Sequence, residues 1–218
     1  KKTLAVLASA QFIMVLDSAV MNVSISQLVA DFDTTVTTIQ AIITFYALVM
    51  AALMITGGKV GDLIGRRKAF TVGLVIYACG SALTAASWNV ATLALGWSIL
   101  EGIGAALVPP ALAALVSGNF EGAQRAAVFG VLGGVAGAGV AVGPILGGWV
   151  TSNYTWRYVF VGEVIIVIVT LLFVRAVADA PRTGPKPDLD VVGAVLSATG
   201  IAVMVYGVLL SSSWGWIT

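Results

Sequence analysis

Three acidic residues, Asp17, Glu101 and Glu163, stand within long apolar stretches of the sequence, whereas the other acidic residues fall in shorter polar segments. A carboxylate in apolar surroundings is costly unless it meets a cation, water or a proton. No lysine or arginine occurs at a matching depth in these stretches. Each of the three carboxyl groups is therefore expected to take up and release a proton, or to bind a cation.

A purely structural role is the alternative for these carboxyl groups. A protonated acid that donates a hydrogen bond to a neighbouring helix would join two helices without exchanging its proton. Asn22 is a further polar interruption of the first apolar stretch. We group Asp17, Asn22, Glu101 and Glu163 as candidates for proton coupling or substrate binding.

The apolar stretches have the length of membrane-spanning helices. Hydrophobic residues make up 59% of the chain and charged residues 10%, with a mean hydropathy of +1.03. A helix needs about 20 residues to cross a hydrocarbon core of about 30 Å. We expect seven spans, at residues 4–29, 39–57, 69–87, 91–116, 126–150, 158–177 and 191–211. The sequence thus predicts an all-α integral membrane protein.

Composition also excludes several classes of function. The net charge is +1, with no histidine and one cysteine. These values exclude a basic surface for nucleic acid, a disulfide framework and a Cys/His metal site. No nucleophile with a neighbouring base and no phosphate-binding loop occurs at usable spacing, so an enzyme is not expected. No cofactor is expected either, and protons are the coupling ion that the buried acids suggest.

The cationic residues are divided unevenly between the two sides of the expected membrane. If Lys1 is cytoplasmic, every lysine and arginine except Arg157 lies in a cytoplasmic segment. Cytoplasmic loops carry such an excess of cations. Aromatic residues that favour the interface mark the opposite ends of the spans, at Trp88, Trp149, Tyr154, Trp156, Trp214 and Trp216. We expect a multi-pass protein of the plasma membrane with a cytoplasmic amino terminus.

The chain is expected to divide into three parts. Residues 1–177 form six spans, residues 178–190 a cytoplasmic linker with three prolines, and residues 191–218 a seventh helix. The first and fourth spans both carry a carboxyl group, as expected of two inverted three-helix repeats around one cavity. Because the sequence stops directly after the Trp-Gly-Trp segment, we expect that it belongs to a longer protein.

The segment GKVGDLIGRRKAF, from Gly58 to Phe70, is expected to form a tight turn between the second and third spans. Its glycines permit sharp bends, and Asp62 can pair with Arg66 four residues later. In the fourth span, Pro109 and Pro110 remove two helical hydrogen-bond donors. We expect them to interrupt the hydrogen-bond ladder of the helix near its inner end and to provide a bend or a gate.

The fifth span is rich in glycine, with GVLGGVAGAGVAVGPILGG between Gly130 and Gly148. Gly139, Gly143 and Gly147 recur every fourth residue and share one helix face. Small residues on such a face let another helix approach closely in a membrane. We expect the partner helix to lie in a second half of the protein.

These segments together resemble the major facilitator superfamily, and specifically its fourteen-span drug:proton antiporter branch. The turn resembles the family's signature loop between helices 2 and 3 through Gly58, Asp62, Gly65, Arg66 and Arg67. The fifth span resembles the antiporter signature of helix 5 through Gly130, Gly139, Gly143, Pro144, Gly147 and Gly148. The segment LDSAVMNVSISQL resembles the branch's helix 1 motif, with Asp17 and Asn22 aligned.

The resemblance has departures at the acidic positions. Ser98 stands where the helix 4 motif usually has an arginine, and Glu101 stands where it usually has a glutamine. Glu163 likewise replaces the asparagine common at the start of helix 6. Since the family's arginine is implicated in proton transfer, its role cannot be carried over to this chain. We expect a relay of carboxyl groups, or cation recognition by them, in its place.

The resemblance implies the amino-terminal half of a transporter, a six-helix half bundle followed by the first of two extra helices. It further implies proton-coupled efflux of amphipathic or cationic small molecules by alternating access. The implied partners are the substrate, the lipid bilayer and a second transporter half. Two alternatives stay open: a metabolite uniporter or symporter of the same fold, and a non-transporting half-transporter that acts as a membrane subunit or scaffold.

Overall fold

The computed structural model describes residues 1–180 and 190–214, and helices dominate both ranges. Seven helices there are long and apolar enough to cross a membrane: α1 (Lys2–Val23), α2 (Val36–Ile64), α3 (Arg66–Ala85), α4 (Val90–Asn119), α5 (Gly122–Asn153), α6 (Arg157–Ala176) and α7 (Val191–Trp214). A short helix, Ile25–Asp31, follows α1. No strand occurs among the described residues. The predicted all-α membrane fold is therefore confirmed.

The division into domains stays a prediction. Most of the expected linker, residues 181–189, lies outside the described residues, as do residues 215–218 of the expected seventh helix. Within the described part of the chain, α7 packs mainly against α2.

The packing of the first six helices follows the pattern expected of two three-helix repeats. Helix α1 packs on α5, and α4 correspondingly packs on α2. Helix α3 packs on α4, and α6 correspondingly packs on α1. The contact pattern thus maps onto itself when α1, α2 and α3 are exchanged for α4, α5 and α6. This pattern matches the repeat that the polar positions of the first and fourth spans predict.

The interior of the bundle contains two separate apolar clusters. One lies towards the turn between α2 and α3 and includes Leu7, Phe70 and Leu115, while the other includes Met21, Ile39 and Phe160. Asp17 lies on α1 between Ile13 of the first cluster and Met21 of the second. The acidic residues therefore occupy a polar layer between two apolar ones.

Glycines bring α3 and α4 unusually close in this polar layer. A Cβ atom added at Gly80 would lie 2.5 Å from Glu101 Cγ and 2.8 Å from the Gly96 carbonyl oxygen. A Cβ atom added at Gly96 would in turn lie 2.8 Å from the backbone nitrogen of Thr84. Small residues at both positions let the two backbones meet, as is common between membrane helices.

The glycine face of α5 packs within this bundle. Cβ atoms added at Gly139 and Gly147 would lie 3.0 Å and 2.9 Å from Val15 and Val20 of α1. Gly143 sits directly against Ala19 of the same helix. The prediction that this face receives a helix of a second half is therefore wrong, because α1 already fills it.

The remaining residues of the predicted helix 5 motif lie elsewhere on α5. Gly130 has open space where a side chain would be, and Gly148 only touches Val23. Pro144 is exposed and lies within the helix without ending it. The motif therefore divides into a packed part, toward α1, and an open part.

The turn between α2 and α3 is shorter than the sequence suggested. Helix α2 continues through Gly58 and Asp62 to Ile64, and α3 begins at Arg66. Only Gly65 leaves the helical conformation, with a φ of +102° that residues with a side chain rarely adopt. The tight turn predicted within the segment from Gly58 to Phe70 is thus confined to Gly65, because the other glycines are accommodated within the helices.

Helix α4 does not break at its proline pair. Pro109 and Pro110 lie inside the helical segment Gly102–Asn119, so the helix continues through the pair, and the predicted kink stays a prediction. Gly57 of α2 lies so close that an added Cβ atom would be 2.5 Å from the Ala106 oxygen. The Ala106 oxygen is the acceptor that a backbone N–H at position 110 would reach, and Pro110 supplies none. A gate at this pair stays a prediction.

The irregular part of α4 comes two turns earlier, where Ala94–Glu101 forms a π-helix. Such wide turns are rare and frequently occur at functional sites. In α4 the π-helical segment carries the buried residues Trp97, Ser98 and Glu101.

The aromatic residues expected at the membrane interface are of two kinds. Trp88, Trp149 and Tyr154 are well exposed, in agreement with the prediction. Trp156 is fully buried, and its Nε1 donates to Asp31 Oδ2 at 2.7 Å. The Trp156 side chain therefore faces the protein and not the lipid, although it stands at the start of α6 as predicted. The side chains of Trp214 and Trp216 lie outside the described part.

Candidate functional site

The three intramembrane acids meet at one point. Asp17 on α1, Glu101 on α4 and Glu163 on α6 are at most 1% exposed. A carboxylate oxygen from each lies within 4.8 Å of those of the other two. We call these three residues the carboxylate cluster. Sequence reasoning identified its members, and the structure shows that they form a single site.

Asp17 receives its hydrogen bonds from an indole. Trp97 Nε1 donates to Asp17 Oδ1 at 2.9 Å, and Oδ2 lies 3.1 Å from the same nitrogen. The Trp97 ring is held flat against Tyr46 of α2, with 4.6 Å between the ring centroids. Helices α1, α2 and α4 together therefore fix the donor that Asp17 uses.

Each glutamate receives one hydrogen bond from a hydroxyl group of α3. Thr84 Oγ1 donates to Glu101 Oε1 at 3.1 Å, and Ser81 Oγ donates to Glu163 Oε2 at 3.2 Å. The other two oxygens, Glu101 Oε2 and Glu163 Oε1, are buried and have no hydrogen-bond partner among the described residues. The hydroxyl of Tyr77, next to Asp17, is buried and unpartnered as well.

The cluster contains no cation among the described residues. Arg157, six residues before Glu163 on α6, donates instead to the Ser87 carbonyl at 2.7 Å and lies 4.4 Å over the Trp156 ring. Two unit charges 4.8 Å apart repel by about 3.5 kcal/mol at an effective dielectric constant of about 20. Three ionised carboxylates would therefore strongly oppose this arrangement, and protons or a bound cation must offset their charge.

Ser98 does not replace the arginine of the helix 4 motif in chemical terms. Its hydroxyl donates to the Ile42 carbonyl of α2 at 2.8 Å and is fully buried. Ser98 thus ties α4 to α2 and supplies no positive charge.

Asn22 is not part of the cluster. Its side chain is exposed, and Nδ2 donates to the Ser18 carbonyl one turn earlier on α1, at 2.7 Å. The structure therefore does not include Asn22 in the group of carboxyl oxygens that meet. A role for Asn22 in contact with a substrate stays a prediction.

The turn between α2 and α3 forms a second polar site. Asp62 and Arg66 form the ion pair that their spacing predicts, and Arg66 Nη1 also donates to the Gly58 carbonyl at 3.1 Å. Arg67 Nη1 donates to the Val177 carbonyl at 3.2 Å. The predicted inner-loop residues are therefore brought together, and they hold the end of α6 against the start of α3.

Asp179 completes this second site and was missed by sequence reasoning. Its Oδ1 accepts the Arg67 backbone N–H at 2.9 Å, at the first turn of α3. A Cβ atom at Gly65 would lie 2.9 Å from Asp179 Oδ2, so only glycine leaves room for this carboxylate. We call Gly65, Asp62, Arg66, Arg67 and Asp179 the inner turn site.

Sequence reasoning also missed the donors around the carboxylate cluster. Ser81 and Thr84 gave no signal, because hydroxyl residues are common in membrane helices and bond their own backbone. Trp97 did give one, since it is the single tryptophan in the middle of an expected span. An indole so far from the interface needs an acceptor, and a carboxylate on another span is the natural one.

Comparison with known proteins agrees with this architecture. A family model of the Major Facilitator Superfamily matches residues 7–218. Puromycin resistance protein pur8 of Streptomyces alboniger is 35% identical over 214 residues, which are 97% of this chain and 42% of that protein. The tetracenomycin C resistance and export protein of Streptomyces glaucescens is 30% identical over 215 residues, 98% of this chain and 40% of that protein. The chain thus spans about two fifths of the length of these relatives.

A solved structure shares the fold. The crystal structure of peptide transporter POT in complex with sulfate has a TM-score of 0.75 and 20% sequence identity to this chain. It covers 100% of this chain, which corresponds to 47% of the peptide transporter. At this identity the likeness concerns the fold alone. Together with the paired three-helix packing, the match of the family model shows that the chain belongs to the Major Facilitator Superfamily.

Proposed function

We propose that this chain forms one half of a proton-coupled exporter of amphipathic or cationic small molecules, which works by alternating access in the plasma membrane. The observation that carries the proposal is the carboxylate cluster, in which three buried acids meet without a cation. Such a site needs protons in one state and releases them when water or a cationic substrate reaches it.

The relatives support export as the direction of transport. One is a puromycin resistance protein, and another is a tetracenomycin C resistance and export protein. Because the chain covers only 42% and 40% of these proteins, a second half that completes the substrate path is part of the proposal.

The two polar sites have different roles in this mechanism. Proton binding by the carboxylate cluster lets the helices that carry it pack tightly, and loss of protons separates them again. The inner turn site holds α2, α3 and the end of α6 together on the cationic side of the bundle. This side is cytoplasmic in the proposal, together with the amino terminus, as the excess of cations favours.

Transport in liposomes tests the proposal. The full-length gene product is reconstituted with an imposed pH gradient, and the movement of puromycin and of a fluorescent amphipathic cation is followed together with internal pH. The double variant Asp17→Asn/Glu101→Gln should lose proton-driven uphill transport by at least about tenfold and keep downhill exchange. Asp33→Asn, which changes an exposed acid, is the matched control and should behave as wild type.

Three results would contradict the proposal. If the double variant still exports substrate in exchange for protons, the carboxylate cluster does not couple them. If substrate moves in the same direction as protons, the protein is a symporter. Downhill transport that is insensitive to the pH gradient would indicate a uniporter.

A further inference from the structure

Hydrogen-bond donors divide the carboxylate cluster unequally. Asp17 has an indole N–H shared between its two oxygens, at 2.9 Å and 3.1 Å. An indole nitrogen donates only and never accepts. Neither oxygen of Asp17 needs a proton of its own to be satisfied, and an N–H bond to an ionised acceptor is stronger than one to a neutral acceptor. The surroundings of Asp17 therefore suit a carboxylate.

The two glutamates have a different pattern from Asp17. Each accepts one hydroxyl hydrogen bond on one oxygen, at 3.1 Å for Glu101 and 3.2 Å for Glu163. The second oxygen of each is buried and unpartnered. A carboxylic acid has one oxygen that accepts and one O–H that donates. A proton on Glu101 Oε2 and another on Glu163 Oε1 would turn two unpartnered acceptors into donors. One oxygen of each cluster member lies within 4.8 Å of an oxygen of the other two, so acceptors are close by.

The groups that face the cluster leave no other way to balance its charge within the described residues. Helices α2 and α3 contribute Tyr46 and Tyr77, which are neutral, in addition to the hydroxyls of α3. The one cation of α5, Arg125, lies in its first turn and donates to the Phe120 and Ser117 carbonyls at the end of α4. Two protons reduce the three negative charges of the cluster to one. The remaining charge is best placed on Asp17, because the Trp97 N–H serves both of its oxygens.

We propose that Asp17 is the ionised member of the carboxylate cluster and that Glu101 and Glu163 are its two proton carriers. This inference rests on the proposed function and adds its stoichiometry for this half: each loading of the cluster carries two protons. On release, the O–H bond of each glutamic acid breaks and the proton passes to water on the side to which the cluster opens. Asp17 stays ionised throughout and positions both glutamates.

Infrared spectroscopy tests the assignment without transport. The full-length gene product is placed in lipid membranes at neutral pH, and the carbonyl band of protonated carboxyl groups is compared in H₂O and D₂O. Glu101→Gln and Glu163→Gln should each remove one component of this band. Asp17→Asn should remove no component and should lower the carboxylate band instead. Asp33→Asn is the control for an exposed acid.

Proton release provides the second measurement. Addition of saturating tetraphenylphosphonium, an amphipathic cation that carries no proton of its own, to detergent-solubilised protein with a pH-sensitive dye should release one proton fewer in each glutamine variant than in wild type. Glu101→Asp should restore the acid component and the released proton, which covers the case in which a glutamine variant folds poorly.

The assignment is overturned if Asp17→Asn removes an acid component, or if either glutamine variant removes none. Its failure is distinguishable from that of the proposed function. An infrared pattern as expected with no coupled transport would refute the exporter and keep the protonation assignment. Coupled transport with the protonated band on Asp17 would do the reverse.

Discussion

The carboxylate cluster and the inner turn site both contain acids, but they treat negative charge in opposite ways. At the inner turn site, Asp62 has the Arg66 guanidinium and Asp179 has the backbone N–H of Arg67. In the cluster, three carboxyl groups have only neutral donors, from Trp97 and two hydroxyl residues. One site satisfies its acids with permanent partners, and the other leaves room for protons.

The inner turn site therefore joins helices, and we call it a fastening site. The carboxylate cluster can take up and release protons, and we call it a titrating site. An acid with a fixed cation keeps its charge, so it can hold two helices together whatever the protonation state of the carboxylate cluster. A buried acid with neutral donors depends on protons, and its packing changes when they leave. The comparison predicts that changes in the cluster affect coupling and assembly strongly, whereas changes at the inner turn have modest effects.

The largest effect is expected where the cluster depends on backbone contact. Gly80→Val places a side chain 2.5 Å from Glu101 Cγ and 2.8 Å from the Gly96 oxygen, so α3 and α4 must separate. Overpacking of this kind costs about 3 kcal/mol. We expect a loss of folded protein in detergent titration and no proton-coupled transport. Gly162→Ala, on α6 with open space around it, is the control and should be near neutral.

A stable Gly80→Val variant with normal coupling would contradict the expectation that changes in the cluster strongly affect assembly and coupling. It would mean that the distance between α3 and Glu101 does not matter to the cluster. An intermediate loss of stability and coupling in Gly80→Ala would support the expectation, since its single methyl group meets the same atoms.

The position of the acids could be predicted from the sequence, but their contact could not. Asp17, Glu101 and Glu163 stand out because the surrounding spans are apolar, and burial of charge in a membrane is costly. Whether the three acids meet depends on how closely their helices cross. Gly80 and Gly96 set this distance between α3 and α4, and a single sequence does not reveal which glycines pack together.

The helix boundaries and packing partners show the same limit. The length of the apolar stretches predicted all seven helices, because the bilayer sets that length. Gly139, Gly143 and Gly147 predicted a close neighbour on α5, but nothing in their spacing identified it as α1. Asp179 escaped prediction because its role depends on the end of α6 folding back to Gly65 and Arg67.

The next largest effect is expected from the donor to Asp17. Trp97→Phe keeps an aromatic ring against Tyr46 and removes the Nε1 donor. A buried acceptor that loses its partner costs about 1–3 kcal/mol. We expect lower stability in detergent titration and at least about tenfold slower proton-coupled transport. Trp88→Phe, at an exposed tryptophan, is the control and should leave both quantities unchanged.

Measurements on Trp97 variants can also contradict the expected difference between the two sites. Unchanged coupling would show that Asp17 does not need a fixed donor. Changes in the cluster would then affect coupling no more than changes at the inner turn site. Recovery of coupling in Trp97→His, which restores a ring N–H, would strengthen the assignment of the donor.

The smallest effect is expected at the inner turn site. Asp62→Asn removes one charge of the pair with Arg66, whose side chains are 38% and 23% exposed. Exposed ion pairs contribute about 0–1 kcal/mol and weaken with salt. We expect a small loss of stability that disappears at high ionic strength, and a change in transport rate without a change in protons per substrate. Glu121→Gln, at an exposed acid that starts α5, should change neither. If Asp62→Asn abolished proton coupling while export continued downhill, the inner turn site would take part in proton transfer, and the division between a fastening site and a titrating site would be wrong.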